Sequence, residues 1–409
     1  MVEHHTIFRS RFYSLEGGPA QKVVPHVYFK INYVDFSSVK NYQKSFEQYD
    51  EICTQTAKKP FDLQNENPIR FICAKFNDCL YKLFIVVHHI ACDGITIAQI
   101  FLSSLTEIYQ HFSKGAIPNI PQKSPQYIDY AIWAKDQGVK VTQEERFWRK
   151  NLEGCQDISF GKNTVSKNFT GGKEVLDLGE TLTEKLLDFS YEQGMSRFTI
   201  LMAVFNVLLF KITGQTDIVV LSPVSLRNRK WLEPIAGNFL NSVLFRNKLT
   251  SYATFHDFLA KVHKNALEIY KYQEFPLQKI ASLFKNKAPI SVGLSIEPAA
   301  AGIRDNWDLK QLEVDTGTTK FSLSIELNEK PKNVTGYLRY SKDIFEQSFI
   351  HRLAIYFKNI LATVVANPCV KILDINIFDQ QERHQLLFQW NDTTKEYPAH
   401  KTVHELFEE

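Results

Sequence analysis

Surplus charge is the first thing this chain lacks. Its 48 Lys and Arg face 45 Asp and Glu, a formal net charge of +3, so there is no basic footprint for nucleic acid. No apolar run approaches the length of a membrane span. The start, MVEHHTIFRS, has no signal-peptide pattern. Cysteine is sparse: Cys53, Cys73, Cys79, Cys92, Cys155 and Cys369, with no CxxC and no paired metal-ligand spacing. Free thiols in a reducing cytoplasm are the expectation. Internal repeats and low-complexity tracts are also missing. What is present is an ordinary globular composition, 44% apolar and 23% charged, on a length that suggests two or three domains or lobes. Only Phe is unusually common, at 31 residues, which suits large packed sheets and apolar channels alike.

The chain is organised around Phe84 to Thr96, FIVVHHIACDGIT. The apolar run Phe84–Val87 predicts a buried strand that delivers His88 and His89 at its end. Side chains alternate along a strand, so the two imidazoles are expected on opposite faces. One can face a cleft while the other packs. An imidazole at the end of a rigid strand suits general-base work near neutral pH; paired histidines are also commonly just packed or hydrogen-bonded. Asp93 and Gly94 close the turn into a helix, Asp by local hydrogen bonds and Gly by permitting unusual dihedrals or close approach. Cys92 reads as a small apolar filler. Beyond the turn, Ile95, Ala98, Leu102, Leu105, Tyr109 and Phe112 recur at gaps of three and four, the stripe of a core-facing helix.

In order along the chain, Val2–Phe12 reads as a helix end running into a strand. Gly17-Gly18-Pro19 is a turn, and Gln21–Val24 returns as a strand. Ile69–Phe76 and Tyr81–Val87 form a hairpin around Asn77-Asp78. Tyr127–Trp133 and Gln143–Leu152 are helical, the second anchored by Trp148. Gly154–Gly172 is polar and Gly-rich, a linker. Glu174–Leu178 is a strand, and Thr181 with Glu184 has capping-box spacing for a helix ending near Gly194. A second helix covers Thr199–Thr213, and Ile218–Leu221 is a buried strand. Tyr337–Tyr340 is a strand after a turn at Asn333, and Phe345–Val364 a long amphipathic helix. Asp379 and Glu382 cap a short helix running to Trp390, Asn391–His400 is extended, and Val403–Phe407 opens another helix.

Taken together, these segments resemble the condensation domains of nonribosomal peptide synthetases, which are similar in fold to chloramphenicol acetyltransferase. HHIACDG matches the family's His-His-x-x-x-Asp-Gly signature. His5, Arg9 and Phe12 match its Arg-His-Glu-x-Leu-Arg-Thr-x-Phe segment, and Tyr127–Trp133 its Tyr-x-Asp-Phe/Tyr-Ala-x-Trp segment. Ser222–Arg227 resembles Gly-x-Pro-x-x-x-Arg, with Ser222 in place of Gly. Gly237, Phe239 and Asn241 match Gly-x-Phe-Val-Asn-Thr, with Leu240 and Ser242 as conservative changes. Tyr272–Pro276 resembles Gln-Asp-x-Pro-Phe. Of the family's arginine-rich run only Asn286 and Pro289 remain, and Ile95 stands where many members carry Trp. Nothing matches the earlier helix and Ser-x-Ala-Gln motif, so truncation at the N-terminus is expected. Sister families fit less well: epimerisation domains normally lack the Gly after Asp, heterocyclisation domains replace the first His by Asp, and plant-type acyltransferases need an Asp-Phe-Gly-Trp-Gly motif that is absent.

The resemblance implies an α/β fold of two chloramphenicol-acetyltransferase-like lobes arranged as a V, each a mixed sheet packed with helices. The expected divisions are residues 1–153 for the first lobe, 154–172 for the linker, 173–371 for the second lobe, and 372–409 for a linker into an adenylation domain. The implied reaction is peptide-bond formation between a donor acyl or peptidyl thioester on an upstream carrier protein and the amine of an aminoacyl thioester on a downstream carrier. His89 and Gly94 are the implied catalytic residues. His88 is expected to be structural, as is Asp93 held by Arg227, and Asn241 and Ser242 are cleft-lining candidates. No metal and no bound cofactor are expected, since the substrates ride on phosphopantetheine arms of partner carriers. The competing class is a noncatalytic module that docks carrier proteins or a tailoring enzyme.

Overall fold

A computed structural model of the chain describes every residue except 17, 26–28, 119–123, 137–140, 162–169, 285–289, 298–316, 331 and 397. The motif run around Asn286 and Pro289 therefore lies outside the described residues, as does the middle of the 154–172 linker.

The first lobe rests on a small mixed sheet. Strands β1 (Ser10–Leu15) and β2 (Gly18–Val23) form a separate antiparallel ribbon. β3 (Asn32–Asp35) lies parallel to β4 (Ile69–Lys75), and β4 pairs antiparallel with β5 (Tyr81–Val87), the strand that carries the histidines. Parallel pairing needs a crossover, and helix α1 (Tyr42–Lys58) provides it, capped by Asn41, which accepts from the Lys44 amide at 3.2 Å. Helices α2 (Leu102–Ser113), α3 (Tyr127–Asp136) and α4 (Val141–Asn151) follow. Between Asp93 and α2 the chain winds through a wider π-helical turn, Thr96–Phe101. That turn shifts the register of everything after it. Phe101, Leu102 and Thr106 are buried, whereas Tyr109 and Phe112 from the predicted stripe are exposed.

The second lobe is a six-stranded mixed sheet in the order β6-β11-β10-β9-β7-β8. Its strands are β6 (Gly171–Asp177), β7 (Asp217–Ser225), β8 (Leu240–Lys248), β9 (Val292–Glu297), β10 (Leu323–Glu329) and β11 (Val334–Ser341). β7, β9 and β10 are parallel, so Ser225, Glu297 and Glu329 end on one edge. Helices α5 (Gly179–Gln193), α6 (Arg197–Thr213), α7 (Phe255–Tyr270), α8 (Leu277–Ser282) and α9 (Gln347–Ala366) cover the sheet. α6 is buried continuously from Thr199 to Leu209, the pattern of a central core helix. α9 is long and apolar enough to cross a membrane by length and composition, yet Ile350, Leu353, Phe357, Ile360, Leu361 and Val364 are buried in the second lobe's core.

Three sequence expectations shift on packing. The Thr181–Glu184 capping box does not form, because α5 starts earlier, at Gly179. The division at residue 153 does not follow the core: Trp148 and Leu152 of α4 are buried with the second lobe, and Trp148 Nε1 donates to the Tyr272 carbonyl at 3.3 Å. The tail beyond 371 starts as part of the same lobe. Ile372, Ile375 and Ile377 join its core, and Tyr356 Oη donates to Glu382 at 2.5 Å, beside the short helix α10 (Gln380–His384).

Candidate functional site

β5 ends at Val87, and the chain turns at once through a single 3-10 turn, His89–Ala91. His88 caps that turn: its Nδ1 accepts from the Ile90 amide at 3.1 Å, and its own amide donates to the Pro68 carbonyl at 2.8 Å. Its ring meets Phe61 edge-on at 5.7 Å, and burial lowers its pKa, helped by His89. His88 is thus structural in its contacts. His89 is exposed, and its imidazole has no hydrogen-bond partner among the described residues. Cys92 is buried, with its thiol pushed up to about 12 by burial and by Asp93, so it is no nucleophile at neutral pH.

Asp93 works beneath the histidines. Its side chain is 1% exposed and that of Arg227 4%; a pair so dry needs full hydrogen bonding to be tolerated. Asp93 Oδ1 accepts from the Thr96 amide at 2.7 Å, capping the helix, and Oδ2 from the Phe239 amide at 3.1 Å. Arg227 Nη2 lies 3.2 Å from both oxygens. Arg227 Nη2 also donates to Thr96 Oγ1 at 2.8 Å, Nη1 donates to the Leu232 carbonyl at 2.8 Å and the Ile235 carbonyl at 2.7 Å, Nε is buried without a partner among the described residues, and the guanidinium stacks on the Phe239 ring at 4.1 Å. Burial pulls the Arg227 pKa down, and the Asp93 charge pulls it back.

This cluster joins the lobes. The loop between β7 and β8, residues 226–239, leaves the large sheet and enters the first lobe's core through Ala236. Thr96 Oγ1 donates to the Gly237 carbonyl at 2.7 Å and accepts from the Gly237 amide at 3.1 Å. Gly237 is required by close approach, since a Cβ there would meet Tyr127 Cδ2 at 2.0 Å. Tyr127 Oη in turn donates to the Asn238 carbonyl at 2.8 Å, so this helix packs on the loop. Gly94 is different: it is exposed, and a Cβ would find nothing within 4 Å. Its surroundings are open rather than crowded.

The sequence pairing of Asp93 with Arg227 matches this geometry. Asn241 does not line a cleft with a free amide. Its Nδ2 donates to the carbonyls of Gln273 at 2.7 Å and Phe275 at 2.8 Å, and its Oδ1 faces the Leu277 amide at 3.4 Å. It is a clamp on the turn before α8. Ser242, half-buried beside it, has no side-chain hydrogen bond among the described residues. His5 is buried with Nε2 unpartnered, and burial with His4 lowers its pKa to about 3. Arg9 is not a solvated cation: its Nη1 donates to the carbonyls of Val24 and Pro25. Among the described residues no three His, Cys, Asp or Glu side chains are grouped to hold a metal ion.

Sequence reasoning misses Thr96, whose hydroxyl gives no signal in a helical stripe, and Glu297. The alternation Val292-Gly293-Leu294-Ser295-Ile296 is an available strand signal for β9. Glu297 ends that strand within electrostatic reach of His89 from the other lobe. Reduced hydration and the Glu326 charge raise its carboxyl pKa, and His89 opposes them.

The family model for the condensation domain matches residues 1–387. The chain belongs to the condensation-domain family. It is 30% identical over 428 residues to gramicidin S synthase 2 of Aneurinibacillus migulanus, spanning 100% of this chain but only 9% of that protein. It is similar to the X-domain from teicoplanin biosynthesis, with a TM-score of 0.76 and 21% identity over 92% of this chain and 88% of that one. The first condensation domain of the calcium-dependent antibiotic synthetase, solved with a substrate analogue, has a TM-score of 0.72 and 17% identity over 92% and 88%. These likenesses establish the two-lobed, chloramphenicol-acetyltransferase-like α/β fold of this condensation domain.

Proposed function

We propose that this condensation domain forms peptide bonds between two carrier-bound substrates, with His89 as its catalytic residue. The observation that carries the reading is the contrast between the adjacent histidines. His88 is used up in the local fold, whereas His89 is exposed, unpartnered among the described residues and within electrostatic reach of Glu297 from the other lobe. The amine nitrogen of the aminoacyl thioester attacks the donor thioester carbonyl, and the C–S bond breaks as the C–N bond forms. The amine loses one proton, which His89 accepts and then gives up to the departing thiolate, so the imidazole ends the step neutral. Exposed Gly94 leaves room beside the motif turn for the substrate or for a backbone donor to the developing oxyanion. The domain binds no cofactor of its own; both acyl groups arrive on phosphopantetheine arms of an upstream and a downstream carrier, and an adenylation domain follows on the C-terminal side.

A second reading, a noncatalytic docking module for carriers or a tailoring enzyme, is favoured by the erosion of the arginine-rich run to Asn286 and Pro289. Mass spectrometry of the chain with two loaded carrier proteins decides between them. The dipeptidyl thioester should appear with the parent and fall about 10²–10⁴-fold in rate with His89→Ala, the usual worth of general-base help. Equal rates in parent and variant would remove His89 from the chemistry. Carrier binding without product in either protein would favour docking.

A further inference from the structure

A cavity of about 500 Å³ lies between the end of α6 and the start of α9, at the edge of the large sheet opposite Ser225 and Glu297. α6 starts beside the end of β10, where Arg197 pairs with Glu329 at 2.8 Å, and runs 17 residues, about 25 Å, to Thr213 on the cavity wall. Phe160, Phe345 and Phe349 line one side. Phe160 meets Phe345 edge-on at 4.8 Å, and Phe345 and Phe349 lie nearly parallel at 5.9 Å. Two polar side chains on the wall are already engaged: Gln215 Oε1 accepts from the Ser159 amide at 2.7 Å, its Nε2 donates to the Asp157 carbonyl at 3.3 Å, and the Thr213 hydroxyl donates to the Leu209 carbonyl at 2.7 Å. Glu346 is the only charged side chain among the described residues of the wall. It holds the N-cap position of α9, yet its carboxylate makes no cap hydrogen bond and no ion pair among the described residues.

Three features define what would fit. The volume is within the ~300–1,000 Å³ usual for small-ligand sites. The phenyl faces carry partial negative charge and attract a cation held close to them. Phe349 already takes one in this way: Arg352 lies over its ring at 5.6 Å, with its own charge matched by Glu382 at 3.7 Å. The wall is also negative at two further points. The Glu346 carboxylate carries a full charge, and α6 presents its C-terminal end, where the carbonyls of Lys211 and Ile212 have no amide partner among the described residues. An anion would be repelled by Glu346. A neutral apolar molecule would strip water from that carboxylate and give nothing back. A cation with an aliphatic stem satisfies the rings, the carboxylate and the helix end together.

We infer that this cavity binds an alkylammonium group, between the three phenylalanine rings and the Glu346 carboxylate. The inference goes beyond the condensation reading and does not rest on it. Two sources share that chemistry: a free alkylamine, and a lysine side chain offered by a partner protein. Ligand-observed NMR titration of the whole chain at pH 7 tests it with 1-aminopentane, with Nα-acetyl-lysine methylamide, and with 1-pentanol as the neutral molecule of the same length. At least one of the two amines should bind the parent about tenfold or more tighter than 1-pentanol. Its binding should weaken about tenfold or more in Glu346→Gln, which removes the charge from an exposed side chain and leaves its shape. It should weaken about threefold in Phe160→Leu, the worth of one cation–ring contact. If Phe160→Leu fails to fold, Glu346→Gln carries the test. The amine that binds more tightly identifies the source. Binding by neither amine, equal binding of amine and alcohol, or amine binding unchanged in Glu346→Gln overturns the assignment. Amine binding lost in His89→Ala places the cation at the motif instead and overturns it as well. Amine binding at this cavity in a protein that makes no dipeptidyl thioester strikes the catalytic reading alone, and product formation without amine binding strikes the cavity alone.

Discussion

Replacing Asp93 by asparagine separates the charge of the Asp93–Arg227 pair from its shape. The carboxylate accepts from the Thr96 amide at 2.7 Å, the Phe239 amide at 3.1 Å and Arg227 Nη2 at 3.2 Å on both oxygens. An asparagine offers one oxygen and one NH₂, so its NH₂ must point at a backbone donor. The guanidinium, 4% exposed, then loses its only counter-charge among the described residues. Breaking a buried ion pair on one side costs about 3–5 kcal/mol, a large share of the roughly 5–15 kcal/mol that separates native from unfolded states. Urea unfolding measures it through intrinsic fluorescence, because Trp133 and Trp231 meet at 5.6 Å beside the 226–239 loop. The control is His89→Ala, an exposed site whose loss should stay within about 0.5 kcal/mol. Asp93→Asn should therefore lower the midpoint strongly while His89→Ala leaves it in place. A loss below about 1 kcal/mol for Asp93→Asn would refute the argument that this pair is a dry, charge-dependent tie between the lobes.

Gly237→Ala drives a methyl into Tyr127, which already rests on Phe239 at a ring separation of 5.1 Å. A destabilisation of about 1–3 kcal/mol is expected from overpacking, and adding Tyr127→Leu should recover part of it, as a thermal double-mutant cycle reads directly. His5 supplies a pH dependence. Its pKa is lowered from 6.5 to about 3 in the folded chain, so between those values the unfolded state holds the extra proton. Its contribution to stability is present above about pH 6.5 and is lost as the pH falls towards 3. In His5→Phe the urea midpoint should decline less steeply over that window; identical slopes would show that His5 does not resist protonation.

Much of the fold is legible in local pattern. The β4–β5 hairpin follows from apolar runs around Asn77-Asp78, and α6 ends at Gly214, a left-handed cap, where the sequence signals a turn. The points of difference share a cause. The stripe after Gly94 implies a period of 3.6, but the wider turn over Thr96–Phe101 rotates the helix and leaves Tyr109 and Phe112 in solvent. The capping box at Thr181 is a local signal overridden by an earlier start at Gly179. Asn241 suits a clamp and a cleft residue equally until the turn at 273–277 folds back onto it.

By itself the sequence determined the strand that ends in His88 and His89, the aspartate that must be neutralised below them, and the order of motifs that places the chain in its family. Those features depend on neighbours along the chain, where side-chain alternation and turn chemistry act within a few residues. Tertiary structure alone decided which histidine is free, that Thr96 and Gly237 hold the lobes together, that Glu297 comes within electrostatic reach of His89, and that α4 belongs to the second lobe's core. Each of those joins residues far apart in sequence through burial, close approach or charge, and no local periodicity encodes such contacts.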